Sequence, residues 1–85
     1  MPKYTAILSK RVRKSLDKLP NRTAQPILDA IAALEENPRP HGYKKLTDRP
    51  GYRIRVGDFR IIYDIFDAEL IFEIIEVGDR KDVYG

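Results

Sequence analysis

The stretch "GYRIRVGDFRIIYD", from Gly51 to Asp64, decides the fold of this chain. Apolar residues alternate with polar or charged residues on both sides of the dipeptide Gly57-Asp58. Strict alternation is typical of a half-buried strand, and two such runs around a Gly-X step predict a β-hairpin. Glycine at the first position of the turn favours type II′.

The register of this hairpin places three arginines on one face. Arg55 falls opposite Arg60, and Arg53 falls opposite Ile62. The other face carries Tyr52, Ile54, Val56, Phe59 and Ile61 and is the predicted core face. Like charges directly opposite each other destabilise a sheet. Two explanations for the cluster remain open, a bound phosphate or neutralisation by acidic side chains such as Asp64 and Glu73.

Composition limits the classes of protein to which the chain can belong. It has 85 residues and a net charge of +3, and we expect one domain over residues 1–85. The absence of cysteine excludes a disulfide framework and a thiolate zinc site. No apolar run is long enough to span a membrane, so we expect a cytoplasmic protein without a membrane partner.

Positive charge is concentrated in the first half of the chain. Residues 1–45 contain ten Lys or Arg against four acidic residues, whereas the remainder contains six against nine. The hairpin arginines therefore lie within an acidic half, and bulk basicity does not explain them. A basic surface favours an anionic partner such as nucleic acid, although a solvated charged face is an equal alternative.

The segment before the hairpin predicts one strand, two helices and a long loop. We expect a strand over 3–8, a helix capped by Ser9, and a second helix with Thr23 as N-cap and Pro26 in its first turn. Their apolar stripes are Val12, Leu16 and Leu19, then Ile27, Ile31 and Leu34. The thirteen residues from 39 to 51 are predicted to form a loop.

A last strand follows the hairpin. In "LIFEIIEV" we expect Leu70, Phe72 and Ile74 on the core face, and Ile71 and Ile75 on the arginine face together with Ile62. The order β-α-α-β-β-β predicts an α+β fold, with an antiparallel sheet and two helices packed on one face. The arginines would then look outward.

The residues "GYRIRVGDFRIIYDI", followed after one strand by "VGDRKDVY", resemble the RelE/ParE superfamily of toxins from type II toxin–antitoxin systems. The resemblance covers nearly the whole chain and implies a RelE-like microbial RNase-type fold. Its RelE-like branch implies ribosome-dependent cleavage of mRNA in the A site and a cognate antitoxin. It also implies that operator DNA would be bound only through the antitoxin complex.

The resemblance also implies a set of catalytic residues, which are Arg53, Arg55, Arg60, Arg80 and Tyr84. Some members carry lysine where this chain has Arg53 and Arg55. Since arginine keeps its proton at physiological pH, these two residues cannot shuttle protons. Asp79 stands where relatives often have a basic residue, and an acid beside Arg80 could orient that guanidinium or partly cancel its charge.

Other basic residues are candidates for binding RNA. Lys44 and Lys45 could bind phosphate, donate a proton or be merely solvated. The basic helix offers Lys10, Arg11, Arg13 and Lys14 as an RNA-facing surface or as an ordinary solvated face. His41 is interpreted as an exposed loop residue. Tyr84 could transfer a proton, stack on a base, or be a frayed terminal residue.

The residue types predict a reaction without cofactor or metal, because no metal-ligand cluster or paired carboxylates are evident. Combined with the activity that the resemblance implies, this predicts a ribosome-dependent, metal-independent mRNA endoribonuclease that uses the substrate's own 2′-hydroxyl and inhibits translation. Two alternatives stay open: a ParE-like inhibitor of DNA gyrase, and a catalytically inactive module that acts with its antitoxin.

Overall fold

The computed structural model describes residues 3–79, which form two helices and a five-stranded sheet. The elements are β1 (Thr5–Leu8), α1 (Lys10–Asp17), α2 (Asn21–Glu36), β2 (Lys44–Lys45), β3 (Tyr52–Val56), β4 (Phe59–Phe66), the 3₁₀ turn η1 (Asp67–Glu69) and β5 (Ile71–Asp79). The strand order is β1-β5-β4-β3-β2. The α+β class is confirmed.

The predicted hairpin is confirmed pair by pair. Val56 lies opposite Phe59 and Arg55 opposite Arg60, and the register continues to Tyr52 opposite Tyr63. Gly57 has a φ of 60°. Within residues 3–79 Leu70 is the only non-glycine residue with positive φ, so Asp58 is not in the left-handed region. This excludes a type I′ turn and fits the expected type II′ turn.

The sheet departs from the expected antiparallel meander in two places. β1 pairs with β5 in parallel, with Thr5 opposite Ile71, so the sheet is mixed. The predicted loop over 39–51 contains β2, which pairs antiparallel with β3. A two-residue strand is too short to show an alternating pattern, and the Leu46 N–H bond to the Gly51 carbonyl (3.0 Å) holds it beside β3.

Ser9 caps α1 as predicted, because its Oγ accepts a hydrogen bond from the Val12 N–H at 3.2 Å. The start of α2 was predicted wrongly. The Pro20 carbonyl accepts bonds from both Thr23 and Ala24, each at 2.9 Å, and the helix therefore begins at Asn21. Pro26 consequently lies beyond the first turn, inside the helix, rather than in the first turn as predicted.

Both helices pack on the core face of the sheet, as expected. Their predicted stripes supply Val12, Leu16, Ile27, Ile31 and Leu34, all of them buried. The sheet contributes Ile61, Tyr63, Phe72 and Ile74, each with no exposed surface. The buried Tyr63 hydroxyl donates to the Pro38 carbonyl at 2.6 Å. Burial of the ring raises the Tyr63 pKa to about 12.

A β-bulge changes the facing of β5. Ile62 pairs with Glu76 while Tyr63 pairs with Ile74, so Ile75 is an extra residue and is 39% exposed. Leu70, expected in the core, instead ends η1 with a left-handed φ of 55° and is 38% exposed.

Ile62 was expected to be exposed on the arginine face, but it is buried. Arg53 and Glu76 are its cross-strand neighbours. In the part of the chain that the structure describes, neither helix is long and apolar enough to cross a membrane.

Candidate functional site

Four of the predicted site residues share the face of the sheet that the helices leave open. Arg53, Arg55 and Arg60 lie on this face, as the hairpin register requires. β2 adds Lys44, which pairs with Arg53. We call Lys44, Arg53, Arg55 and Arg60 the cationic cluster. Residues opposite each other in the non-hydrogen-bonded positions of a hairpin are about 4.5 Å apart at Cα. The Arg55 and Arg60 backbones are therefore held in close proximity.

The two lysines of β2 lie on opposite faces. Lys44 is opposite Arg53, whereas Lys45 is opposite Tyr52, on the core parity. Since successive side chains of a strand point to opposite faces, Lys45 does not join the cationic cluster. Sequence reasoning could not separate the two, because a pair of adjacent lysines gives no facing without its partner strand.

At the end of the cationic cluster, β5 places a glycine, which contributes no side chain. Gly78 lies opposite Arg60, and so the row Arg55–Arg60–Gly78 carries only the two guanidinium groups. Asp79 lies opposite Phe59, on the other parity of the sheet. Arg80 and Tyr84, which were predicted to complete the catalytic set, lie outside the described residues.

The basic helix approaches the same face at one point. Arg11 forms an ion pair with Glu76, at 3.9 Å between Nη2 and Oε1. Glu76 follows Arg53 and Ile62 along one row of the sheet. The other predicted residues of this helix, Lys10, Arg13 and Lys14, are exposed. The pair is exposed on the Arg11 side and, like most surface pairs, contributes little stability.

His41 lies closer to the cationic cluster than its place in a loop suggested. It lines a cleft of about 440 Å³ between α2 and β3, together with Lys44, Arg53 and Arg55. The floor of this cleft is apolar and consists of Ala30, Ala33, Leu34, Ile54 and Val56. The small residues Ala30 and Ala33 of α2 could have indicated this cleft from the sequence, because small side chains leave space between α2 and β3.

Arg39 is a structural residue of the site that sequence reasoning missed. Its Nη1 and Nη2 donate to the Asp67 carboxylate at 3.1 and 2.9 Å. The Tyr4 hydroxyl donates to the same carboxylate at 2.6 Å. These donors lower the Asp67 pKa to about 2, with the Arg39 bonds contributing most. Asp67 in turn raises the Tyr4 pKa through that hydrogen bond.

The Arg39–Asp67 pair and an aromatic row hold the segment before β2. The Arg39 guanidinium lies 5.9 Å from the centroid of the Tyr52 ring. Tyr52 in turn packs between Tyr43 and Tyr63, with centroid distances of 5.9 and 6.0 Å. These contacts hold residues 38–43 against the sheet. The next residue, Lys44, can therefore pair with Arg53.

The described residues contain no group of three His, Cys, Asp or Glu side chains arranged to hold a metal ion. The open face combines the cationic cluster with Glu76, in the row of Arg53 and Ile62, and with the cross-strand pair Asp64 and Glu73. Guanidinium and ammonium groups in this arrangement suit a phosphate, since they stabilise negative charge on its oxygens.

Comparison with known proteins places the chain among bacterial and archaeal toxins. The family model described as the ParE toxin of the type II toxin–antitoxin system parDE matches residues 6–84. A Methanocaldococcus jannaschii protein assigned provisionally as the toxin RelE1 is 29% identical over 86 residues, which is 96% of each chain.

Solved structures show the same fold. A chain of the archaeal RelE–RelB complex from Pyrococcus horikoshii OT3 superposes with a TM-score of 0.82 and 28% identity, covering 92% of this chain and 96% of that one. The toxin–antitoxin complex RelBE2 from Mycobacterium tuberculosis gives a TM-score of 0.79 and 28% identity, over 92% and 99% of the two chains.

Proposed function

The chain belongs to the ParE toxin family of type II toxin–antitoxin systems, within the RelE/ParE superfamily, and we propose that this RelE-like toxin is a ribosome-dependent mRNA endoribonuclease. The cationic cluster is the observation that carries the proposal. Lys44, Arg53, Arg55 and Arg60 lie on one face of the sheet, and Arg55 is directly opposite Arg60. Guanidinium and ammonium groups gathered on one face can together contact the oxygens of a phosphate.

The proposed reaction uses the RNA's own 2′-hydroxyl. The 2′-oxygen loses its proton and attacks the adjacent phosphorus, while the bond from phosphorus to the 5′-oxygen breaks. The leaving 5′-oxygen takes up a proton, and the products are a 2′,3′-cyclic phosphate and a 5′-hydroxyl. Negative charge grows on the phosphoryl oxygens during this displacement. Fixed guanidinium groups aimed at those oxygens stabilise the transition state.

Arginines cannot act as the base or the acid of this reaction, because they remain protonated. In the described residues their role is to bind and to stabilise charge, and Lys44 shares this role. Proton transfer falls to other groups, and Tyr84 remains the candidate that the family resemblance implies. We assign the same electrostatic role to Arg80. The ribosome as target would make the cytoplasm the compartment of action.

We also propose a cognate antitoxin as the partner of this chain. The similar structures from Pyrococcus horikoshii and Mycobacterium tuberculosis are both complexes of a toxin with an antitoxin. The open sheet face offers such a partner the cationic cluster and the exposed Ile75 and Ile7. Acidic side chains of an antitoxin would neutralise the charges that RNA otherwise engages. Any contact with operator DNA would then be made by the complex.

Inhibition of DNA gyrase is the second candidate, because the family model that matches the chain is the ParE one. The two functions differ in whether they require the cationic cluster. Cleavage needs cations around a phosphate, whereas a protein-binding inhibitor has no such need. A module without catalysis is the third reading.

The experiment adds purified toxin to ribosomes programmed with a defined mRNA and, separately, to gyrase acting on relaxed plasmid. We expect mRNA cut in the A site with 2′,3′-cyclic phosphate ends, and unchanged supercoiling. Uncut mRNA together with blocked supercoiling would establish the gyrase reading. Uncut mRNA with normal supercoiling would establish a module that only binds. Magnesium is held constant for the ribosomes, and a chelator is tested on the toxin before mixing.

A further inference from the structure

The cleft between α2 and β3 lies on the helix-covered face of β3, and the cationic cluster lies on the opposite face of the same strand. Lys44, Arg53 and Arg55 line both the cluster and the cleft. The cleft volume of about 440 Å³ is in the range of small-molecule sites, which is about 300–1,000 Å³. Its floor is apolar, and Lys44, Arg53 and Arg55 also contribute to its lining. A ligand that fits must therefore combine a flat or apolar part with a negative charge.

The edge of β3 is open at this cleft. β2 pairs only with Tyr52 and Arg53, so that in the described residues no strand lies beside 54–56 on that side. In a hairpin closed by the pair Val56–Phe59, the N–H and C=O groups of Arg55 face away from β4. These groups offer one donor and one acceptor at the rim of the cleft. His41 adds an imidazole ring to the same rim.

We propose that this cleft receives a nucleobase of the RNA strand whose phosphate lies on the cationic cluster, an inference that rests on the proposed function. A base has an apolar face for Ala33 and Ile54, and an edge for the Arg55 backbone. Single-stranded RNA is recognised in this way, through bases splayed out of the stack and bonded along their edges.

A strand from a protein partner fits the open edge less well. Only Arg55 presents both backbone groups outward between the end of β2 and the turn at Gly57. Strands usually have about 3–10 residues, so one residue of pairing gives a strand little to hold. A peptide would also leave the cations of the rim unused. Charge complementarity therefore favours a nucleotide.

The test uses two matched substitutions in α2. Ala33→Phe fills the cleft, because Ala33 lines it and is exposed. Ala32→Phe adds the same ring at an exposed position of the same helix that does not line the cleft. Neither substitution removes a charge from the cationic cluster. Circular dichroism and thermal unfolding of the full chain establish that both variants fold.

The probe is a trinucleotide RNA with a central 2-aminopurine and a 5′ fluorescein. Anisotropy reports binding of the strand, and protection of 2-aminopurine from acrylamide reports burial of the base. We expect protection with the wild type and Ala32→Phe, and its loss with Ala33→Phe. An abasic analogue should bind the wild type about 5- to 150-fold more weakly, which is the range expected for one base contact. With Ala33→Phe this difference should disappear.

The inference fails if the wild type leaves the base unprotected, or if Ala33→Phe protects it as well as Ala32→Phe does. It also fails if Ala33→Phe weakens only the binding of an antitoxin, since the cleft would then receive a protein. Each of these results is compatible with cleavage of mRNA on ribosomes. If the wild type protects the base but does not cleave mRNA on ribosomes, the proposed function is wrong and the inferred base site stands.

Discussion

Arg55 and Arg60 are direct cross-strand partners in the hairpin of β3 and β4. The turn at Gly57-Asp58 fixes this pairing, because a two-residue turn allows one register only. The fold thus holds two like charges together in the free protein. An anion bound between them would contact both guanidinium groups.

Replacement of Arg55 by alanine should therefore separate activity from stability. Arg55 is exposed, so we expect an unchanged or slightly higher melting temperature. Loss of one group that stabilises developing charge typically lowers the rate about 10²- to 10³-fold. Single-turnover cleavage on programmed ribosomes and thermal unfolding measure the two effects. Arg49→Ala, at an exposed loop position, is the control. An unstable variant of normal activity would make Arg55 a structural residue.

The two lysines of β2 provide an internal comparison for the geometry of the site. Lys44→Ala removes a member of the cationic cluster, whereas Lys45→Ala removes a charge on the opposite face. We expect Lys44→Ala to weaken RNA binding and to reduce its dependence on salt, because one phosphate contact is lost. Lys45→Ala should change both by much less. Equal effects of the two substitutions would contradict the facing that the pairing of β2 predicts.

The buried hydroxyl of Tyr63 should contribute measurably to stability. Tyr63→Phe keeps the ring in the core but leaves the Pro38 carbonyl without its donor. An unsatisfied buried acceptor costs about 1–3 kcal/mol, and about 1 kcal/mol lowers the melting temperature of a domain this size by about 4–8 °C. Denaturant unfolding gives the free energy directly. Tyr43→Phe, at an exposed ring, should have almost no effect.

The ion pair between Arg39 and Asp67 should make stability depend on pH at the acid end. The pKa of Asp67 is lowered to about 2 in the folded protein by the hydrogen bonds from Arg39 and Tyr4. It is therefore below the unfolded value of about 3.9. A lowered pKa adds stability that is complete above the unfolded value and is lost as the pH falls towards 2.

The measurement compares melting temperatures of the wild type and Asp67→Asn from pH 6 to pH 2. We expect the wild type to be more stable at pH 6 and the difference to shrink below pH 4. Glu69→Gln, in the same turn, serves as the control, because no ion pair is recorded for it among the described residues. If the difference in melting temperature between the wild type and Asp67→Asn stays constant down to pH 2, the Asp67 side chain stabilises the fold by packing or neutral hydrogen bonds and not by its charge.

Local signals account for what the sequence predicted correctly. The hairpin register follows from alternation and a two-residue turn, and the cap of α1 follows from Ser9 immediately before a helical stripe. Both depend on residues within a few positions of each other. The same is true of the α2 stripe, and all three features match the structure.

Contacts between distant residues account for what was missed. Arg39 and Asp67 are 28 positions apart, and nothing in either segment indicates the other. β2 exists only because β3 lies beside it, and the bulge at Ile75 depends on how β5 meets β4. The place of His41 beside the cationic cluster follows from β2, so it could not be predicted without that strand.

The parallel pairing of β1 with β5 has a consequence for how this protein is made. Thr5 pairs with Ile71 and Leu8 with Ile74, so the first strand synthesised waits for the last strand of the sheet. β4, which carries Arg60, also needs β5 as its second neighbour. Contacts this far apart in sequence form late in folding. The nascent chain is therefore expected to release β5 from the exit tunnel before its sheet can close. Arg60 would then gain its second neighbouring strand only after β5 has emerged from the ribosome.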